Sequence, residues 1–150
     1  MEHYFLKFAS FCVMTDIHFT LDSIVDAAKE VASLLRPGLP LLLYGEMGAG
    51  KTTLSKYVIK ALGCEEEVTS PTFTIMQSYA TQAGPLWHVD LYRLEEQPLD
   101  ELGLDELCRG TMMIIEWPQR LGSRLFPRYI KGVLSVQQDG SRMLSLEIVE

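Results

Sequence analysis

The sequence predicts a three-layer α/β domain with a mixed, mainly parallel sheet and antiparallel hairpin additions. Three observations carry that expectation. Apolar runs of strand length alternate with helical periodicity, Leu39 to Tyr44 and Thr111 to Ile115 being the most continuous; such runs belong to strands covered on both faces. A glycine-rich loop joins the first run directly to a helical pattern. Toward residue 91, and again toward the C-terminus, alternating segments are separated by short turn sequences and read as hairpins.

The first helix is expected after Thr20, which would cap it. Leu21, Ile24, Val25, Ala28, Val31, Ala32 and Leu35 would form its apolar face, and Pro37-Gly38 would end it. A second helix runs from about Thr52 to Leu62 and stops at Gly63. After an acidic turn at Glu65 to Glu67, residues beyond Pro71 alternate to Tyr79 and pair with Leu86 to Leu91. On the second strand Leu86, His88 and Asp90 share one face, and Trp87, Val89 and Leu91 the other. Pro98 to Leu107 reads as one or two short helices around Gly103. Two strands, about Ile130 to Val136 and Met143 to Val149, flank an Asp139-Gly140 turn.

With 150 residues, 47% hydrophobic and 22% charged, the chain suits one domain with a real core, residues 1–150, of which 1–14 form an extension of unassigned order. Three scattered cysteines and three scattered histidines suggest neither a disulfide framework nor a zinc site. The N-terminus lacks the basic leader of a signal peptide and the length of a membrane span, so a cytoplasmic protein is expected. A net charge of −7 argues against non-specific nucleic-acid binding by the whole surface. An anion site must therefore be local.

Gly45 to Thr53, GEMGAGKTT, supplies one. It fits G-x-x-x-x-G-K-[ST], with a strand before it and a helix after it. Backbone N–H groups of Gly45, Glu46, Met47, Gly48, Ala49 and Gly50, and of the helix start through Thr53, can turn toward a phosphate chain, aided by the helix dipole. Lys51 would reach the terminal phosphates and Thr52 would ligate Mg²⁺. The pattern predicts a P-loop nucleoside triphosphatase fold.

Phosphoryl transfer also needs acids at strand ends to hold Mg²⁺ and orient the nucleophile. Glu116 closes the run MMII, and Asp90 closes WHV. Spacing leaves open which serves the metal and which the water. Trp117 stands beside Glu116, either against the nucleotide or as core. His88 reads as a structural histidine. Ser70 and Thr72, flanking Pro71, suit a loop that senses the γ-phosphate. From Trp117 to Gln138 there is no acid, while Arg120, Arg124, Arg128 and Lys131 fall within the stretch. Two readings compete for it: a docking surface, or the phosphate-clamping lid of a small kinase. No N-K-x-D guanine motif is present, which disfavours a GTPase.

Together, GEMGAGKTT, VTSPTF (Val68 to Phe73), HVDLYRL (His88 to Leu94) and IIEWP (Ile114 to Pro118) resemble the TsaE family over roughly Thr20 to the C-terminus. The resemblance implies a weak ATPase requiring ATP and Mg²⁺. It implies work with TsaD and TsaB, which place threonylcarbamoyl on the adenosine beside the anticodon of tRNAs reading codons that begin with A. ATP hydrolysis would reset that complex between turnovers. Carried onto this sequence, Lys51 would contact phosphates and Thr52 the metal. Thr72 would belong to a switch-like loop, Asp90 and Glu116 would be the metal and water acids, and Trp117 would lie near nucleotide or partner. Thr20 would lie near the adenine, and Arg142 is a further nucleotide-binding candidate. Glu46-Met47 replaces the family's common Asp-Leu in a loop that binds through its backbone.

Overall fold

The computed structural model describes residues 14–69, 75–94, 99–122 and 126–150. Seven strands form one sheet: β1 (Met14–Phe19), β2 (Leu41–Tyr44), β3 (Met76–Thr81), β4 (Gly84–Asp90), β5 (Met112–Glu116), β6 (Tyr129–Val136) and β7 (Arg142–Val149), in the order β1-β7-β6-β2-β5-β4-β3. The central four, β6, β2, β5 and β4, are mutually parallel, and β1, β7 and β3 add antiparallel pairs at the two sides. The expected mixed α/β sheet is what the chain builds.

The apolar runs are continuous because both faces of the central strands are covered. Leu41, Leu43, Met112 and Ile114 join the core under α1 (Ile24–Leu34) and α2 (Lys51–Ala61). Leu42, Met113 and Ile115 point the other way, into a second core with Leu104 and Cys108 of α3 (Leu104–Gly110). Three layers result. Among the described residues no helix is long and apolar enough to cross a membrane.

The first helix differs from expectation. It starts at Ile24 with Ser23 as N-cap, not at Thr20. Residues Thr20 to Ser23 form a turn instead: the Ser23 N–H donates to the Thr20 carbonyl at 3.1 Å, and the Thr20 N–H donates to Ser23 Oγ at 2.9 Å. The buried face is Ile24, Ala27, Ala28 and Val31, while Leu21 and Val25 are 77% and 46% exposed. Val25 lies about 100° around the helix from Ile24, so both cannot face one core. The two strands run longer than expected at the turn, and Gln82-Ala83 alone connects β3 and β4. A 3₁₀ turn (Leu99–Leu102) and α3 flank Gly103, as expected. The part of the expected strand before Ile75 lies outside the described residues.

The largest omission from the sequence reading is β1. It pairs with β7 along its length, and Ile17 and Phe19 alternate into the α1 side of the core. Phe19→Ala is therefore expected to cost about 3–5 kcal/mol of folding stability by urea denaturation; a loss below about 1 kcal/mol would show β1 to be an appendage.

Candidate functional site

The site lies at the carboxyl ends of three adjacent parallel strands, where α/β sheets leave a crevice. β2 ends at Tyr44 and enters the glycine-rich loop. β5 ends at Glu116, level with Leu43, and β4 ends at Asp90, level with Glu116. A Cβ at Gly45 would lie 2.8 Å from the Leu134 carbonyl of β6, so only glycine lets the loop leave the sheet there. Gly50, at φ 102°, makes the left-handed step that aims the first turn of α2 into the cleft. Arg142, at the start of β7, braces the loop, donating through Nε to the Ala49 carbonyl at 2.8 Å and through a terminal nitrogen to the Gly140 carbonyl at 2.5 Å.

A cleft of 340 Å³ opens here. Met47, Gly48, Gly50, Lys51, Thr52, Thr53, Asp90, Glu116 and Trp117 line it, all expected from sequence, together with Tyr92. Gly45, Glu46 and Ala49 form the loop behind, and Arg142 touches that loop rather than the cleft. Thr20 is exposed, outside the cleft lining, one residue beyond the Phe19–Arg142 pair of the β1–β7 ladder. Thr72, Ser70 and Arg124 lie outside the described residues.

Inside the cleft the polar groups engage one another. Lys51 Nζ donates to the carbonyls of Gly45 and Glu46, the latter at 3.1 Å, and sits 4.2 Å over the Trp117 ring. Thr52 Oγ1 donates to Oε1 of Glu116 at 2.8 Å. His88 Nε2 is 2.5 Å from Oε2 of the same carboxylate, and His88 and Glu116 are 0% and 1% exposed. Nδ1 of His88 is buried with no partner among the described residues. The Tyr92 N–H donates to Oδ1 of Asp90 at 2.9 Å, and the Tyr92 ring leans on Trp117 with centroids 4.8 Å apart. Trp117 has φ 57°, the one positive φ among the described non-glycine residues. That conformation costs on the order of 1 kcal/mol and places its ring over Lys51.

Charge is finely set. Burial pushes the Lys51 ammonium below its usual range, partly offset by the carboxylates of Glu116 and Asp90. Burial pushes the Asp90 carboxyl up, with Glu116 adding to the effect and the Tyr92 N–H opposing it. Asp90 and Glu116 with the Thr52 hydroxyl make a hard oxygen donor set. Among the described residues no cluster of three His, Cys, Asp or Glu side chains is poised for a metal.

Of the described basic residues of the tail, Arg120, Arg128 and Lys131, none lines the cleft. Arg128, just before β6, pairs with Glu150 at 2.9 Å at the amino end of the parallel strands, opposite the end that carries the loop. Arg120 is exposed on the 3₁₀ turn (Pro118–Leu121). Neither arranges itself as a phosphate lid.

Sequence reasoning undervalued His88 and Tyr92. The alternation of WHVD was the available signal, since it put His88 on the face of Asp90. The Arg142 contact spans 93 positions and has no local signature.

Residues 20–144 match the family described as threonylcarbamoyl adenosine biosynthesis protein TsaE. The chain is 37% identical over 123 residues to the Bacillus subtilis tRNA threonylcarbamoyladenosine biosynthesis protein TsaE, covering 81% of this chain and 77% of that one. It is 38% identical over 117 residues to the protein of the same name from Nostoc sp., covering 75% and 72%. The crystal structure of Bacillus subtilis YdiB superposes with a TM-score of 0.73 at 28% identity, over 95% of this chain and 90% of that one.

Because the folded state raises the Asp90 pKa, it holds that proton more tightly than the unfolded chain does. Stability is then lost as pH rises from the unfolded carboxylate value through the folded one, and stays lost above it. Lys51 works in the other direction: its penalty is present below the lowered folded value and fades as pH rises toward the unfolded lysine value. Asp90→Asn, which keeps the acceptor for Tyr92, should raise the melting temperature at pH 7, and the gain should shrink on acidification. A gain independent of pH would contradict the buried-charge account.

Proposed function

The chain belongs to the TsaE family and acts in tRNA threonylcarbamoyladenosine biosynthesis, and we propose that it does so as a weak, Mg²⁺-dependent ATPase of the cytoplasm, partnered by TsaD and TsaB. The observation that carries this reading is the 2.8 Å bond from Thr52 Oγ1 to Glu116. It joins the P-loop hydroxyl to the acid that ends the neighbouring strand, in the cleft that also holds Lys51 and Asp90.

The loop N–H groups and the α2 N-terminus bind the phosphate chain, and Lys51 neutralises its terminal charge. To do so Nζ leaves the Gly45 and Glu46 carbonyls. Thr52 and Glu116 would hold Mg²⁺, with Asp90 close by. Bound there, the ion supplies charge neutralisation on phosphate oxygens. Asp90 takes the water side: Thr52 and His88 engage both oxygens of Glu116, whereas the Asp90 carboxyl accepts from the Tyr92 N–H, and its burial, which raises its pKa, favours accepting a proton. Water oxygen attacks the γ-phosphorus, the bond to the bridging oxygen breaks, and the water proton passes to the Asp90 carboxylate; ADP and phosphate leave. Trp117 packs over Lys51 and limits water around the ammonium. Hydrolysis resets the TsaD–TsaB complex between turnovers, while tRNA is the substrate of the complex.

Phosphate release from ATP by the full chain with TsaD, TsaB and Mg²⁺ tests this. Lys51→Ala and Glu116→Ala should each lower the rate by about 10²-fold or more, the scale of losing one preorganised electrostatic contact. Either variant turning over at the parent rate would overturn the assignment, and label passing to a small molecule instead of free phosphate would favour a kinase.

A further inference from the structure

His88 is fully buried on β4 and takes no step in the chemistry above. Its Nε2 lies 2.5 Å from Oε2 of Glu116, while Thr52 Oγ1 donates to Oε1. An apolar side chain would fill this place in the core without the cost of burying an imidazole against a carboxylate. The terminal torsion of glutamate is broad, so one hydrogen bond from Thr52 leaves the carboxylate free to turn. A donor on the second oxygen removes that freedom.

We propose that His88 is a positioning residue for the ATPase site: its Nε2–H donates to Oε2 of Glu116 and keeps Oε1 turned to Thr52. The histidine touches neither nucleotide nor water, and its action is hydrogen-bond donation, not a change of charge. This inference rests on the ATPase reading and deepens it. It also accounts for a histidine two residues before Asp90 on the same face of β4, beside Ile114 and within reach of the end of β5.

The test compares two amides. His88→Gln carries an N–H out to about the reach of Nε2, whereas His88→Asn stops one carbon short. With the full chain, TsaD, TsaB, ATP and Mg²⁺, H88N should lower phosphate release about tenfold or more, the scale of one lost charge-assisted bond. ATP affinity should change by less than about threefold, so the loss falls on turnover rather than binding. H88Q should recover most of the rate. Adding H88N to Glu116→Gln should lower the rate no further, because the histidine acts through that carboxylate. Equal loss in H88N and H88Q, a parent rate in H88N, or additive losses in the double variant would each overturn the proposal. If circular dichroism shows H88N unfolded, a folded but inactive H88Q overturns it and an active one supports it. A parent chain that releases no phosphate would instead sink the ATPase reading. In that case proton NMR judges the bond itself: a strongly downfield imidazole N–H, lost in Glu116→Ala, supports the pairing, and its absence removes it.

Discussion

A carboxylate that is 1% exposed needs donors on both oxygens, and the site is arranged around supplying them to Glu116. Thr52 comes from the first turn of α2 and His88 from β4. For both to reach it, β2, β5 and β4 must lie side by side and parallel, so that the helix leaving β2 starts directly over the end of β5. The sheet order is thus part of the chemistry. Moving β5 one place would separate Glu116 from the P-loop while leaving every local motif intact.

The chain carries a net charge of −7, yet the ligand proposed for this cleft is a polyanion. The contradiction is resolved locally. Loop N–H groups, the α2 N-terminus and a buried ammonium act at short range in a low-dielectric setting, where they outweigh distant surface acids screened by salt. The Lys51 ammonium is held by hydrogen bonds to the Gly45 and Glu46 carbonyls and by the Trp117 face, with two acids nearby. None is a close ion pair that nucleotide would have to break. The left-handed backbone at Trp117 is tolerated because the ring then packs on both Lys51 and Tyr92.

Much of the fold was legible because its signals are local. Continuous apolar runs flag strands covered on both faces, and Gly-Lys-Thr after such a run flags the loop. The alternation of WHVD placed His88 beside Asp90. What escaped depends on distant pairing. Met14 to Phe19 carries only a short alternation, Asp16-Ile17-His18-Phe19, whose apolar half is buried once the strand pairs with β7. The apolar stretch from Leu21 suggested an earlier helix start, but Ser23 closes a turn first and leaves Leu21 in solvent. Arg142 looks like any hairpin arginine until β7 is seen to deliver it to Ala49. Asp90 and Glu116 cannot be told apart by spacing; in the fold they differ in partners, Glu116 meeting Thr52 and His88 while Asp90 accepts from the Tyr92 N–H.

Everything proposed for this chain turns on Lys51, Thr52 and Glu116 forming a seat for ATP with its metal. Calorimetric titration of the full chain with ATP, with and without Mg²⁺, is the first measurement to make. One saturable site that tightens when Mg²⁺ is added is expected, with the tightening lost in Thr52→Ala. No saturable binding, or binding indifferent to both Mg²⁺ and Thr52, would contradict it.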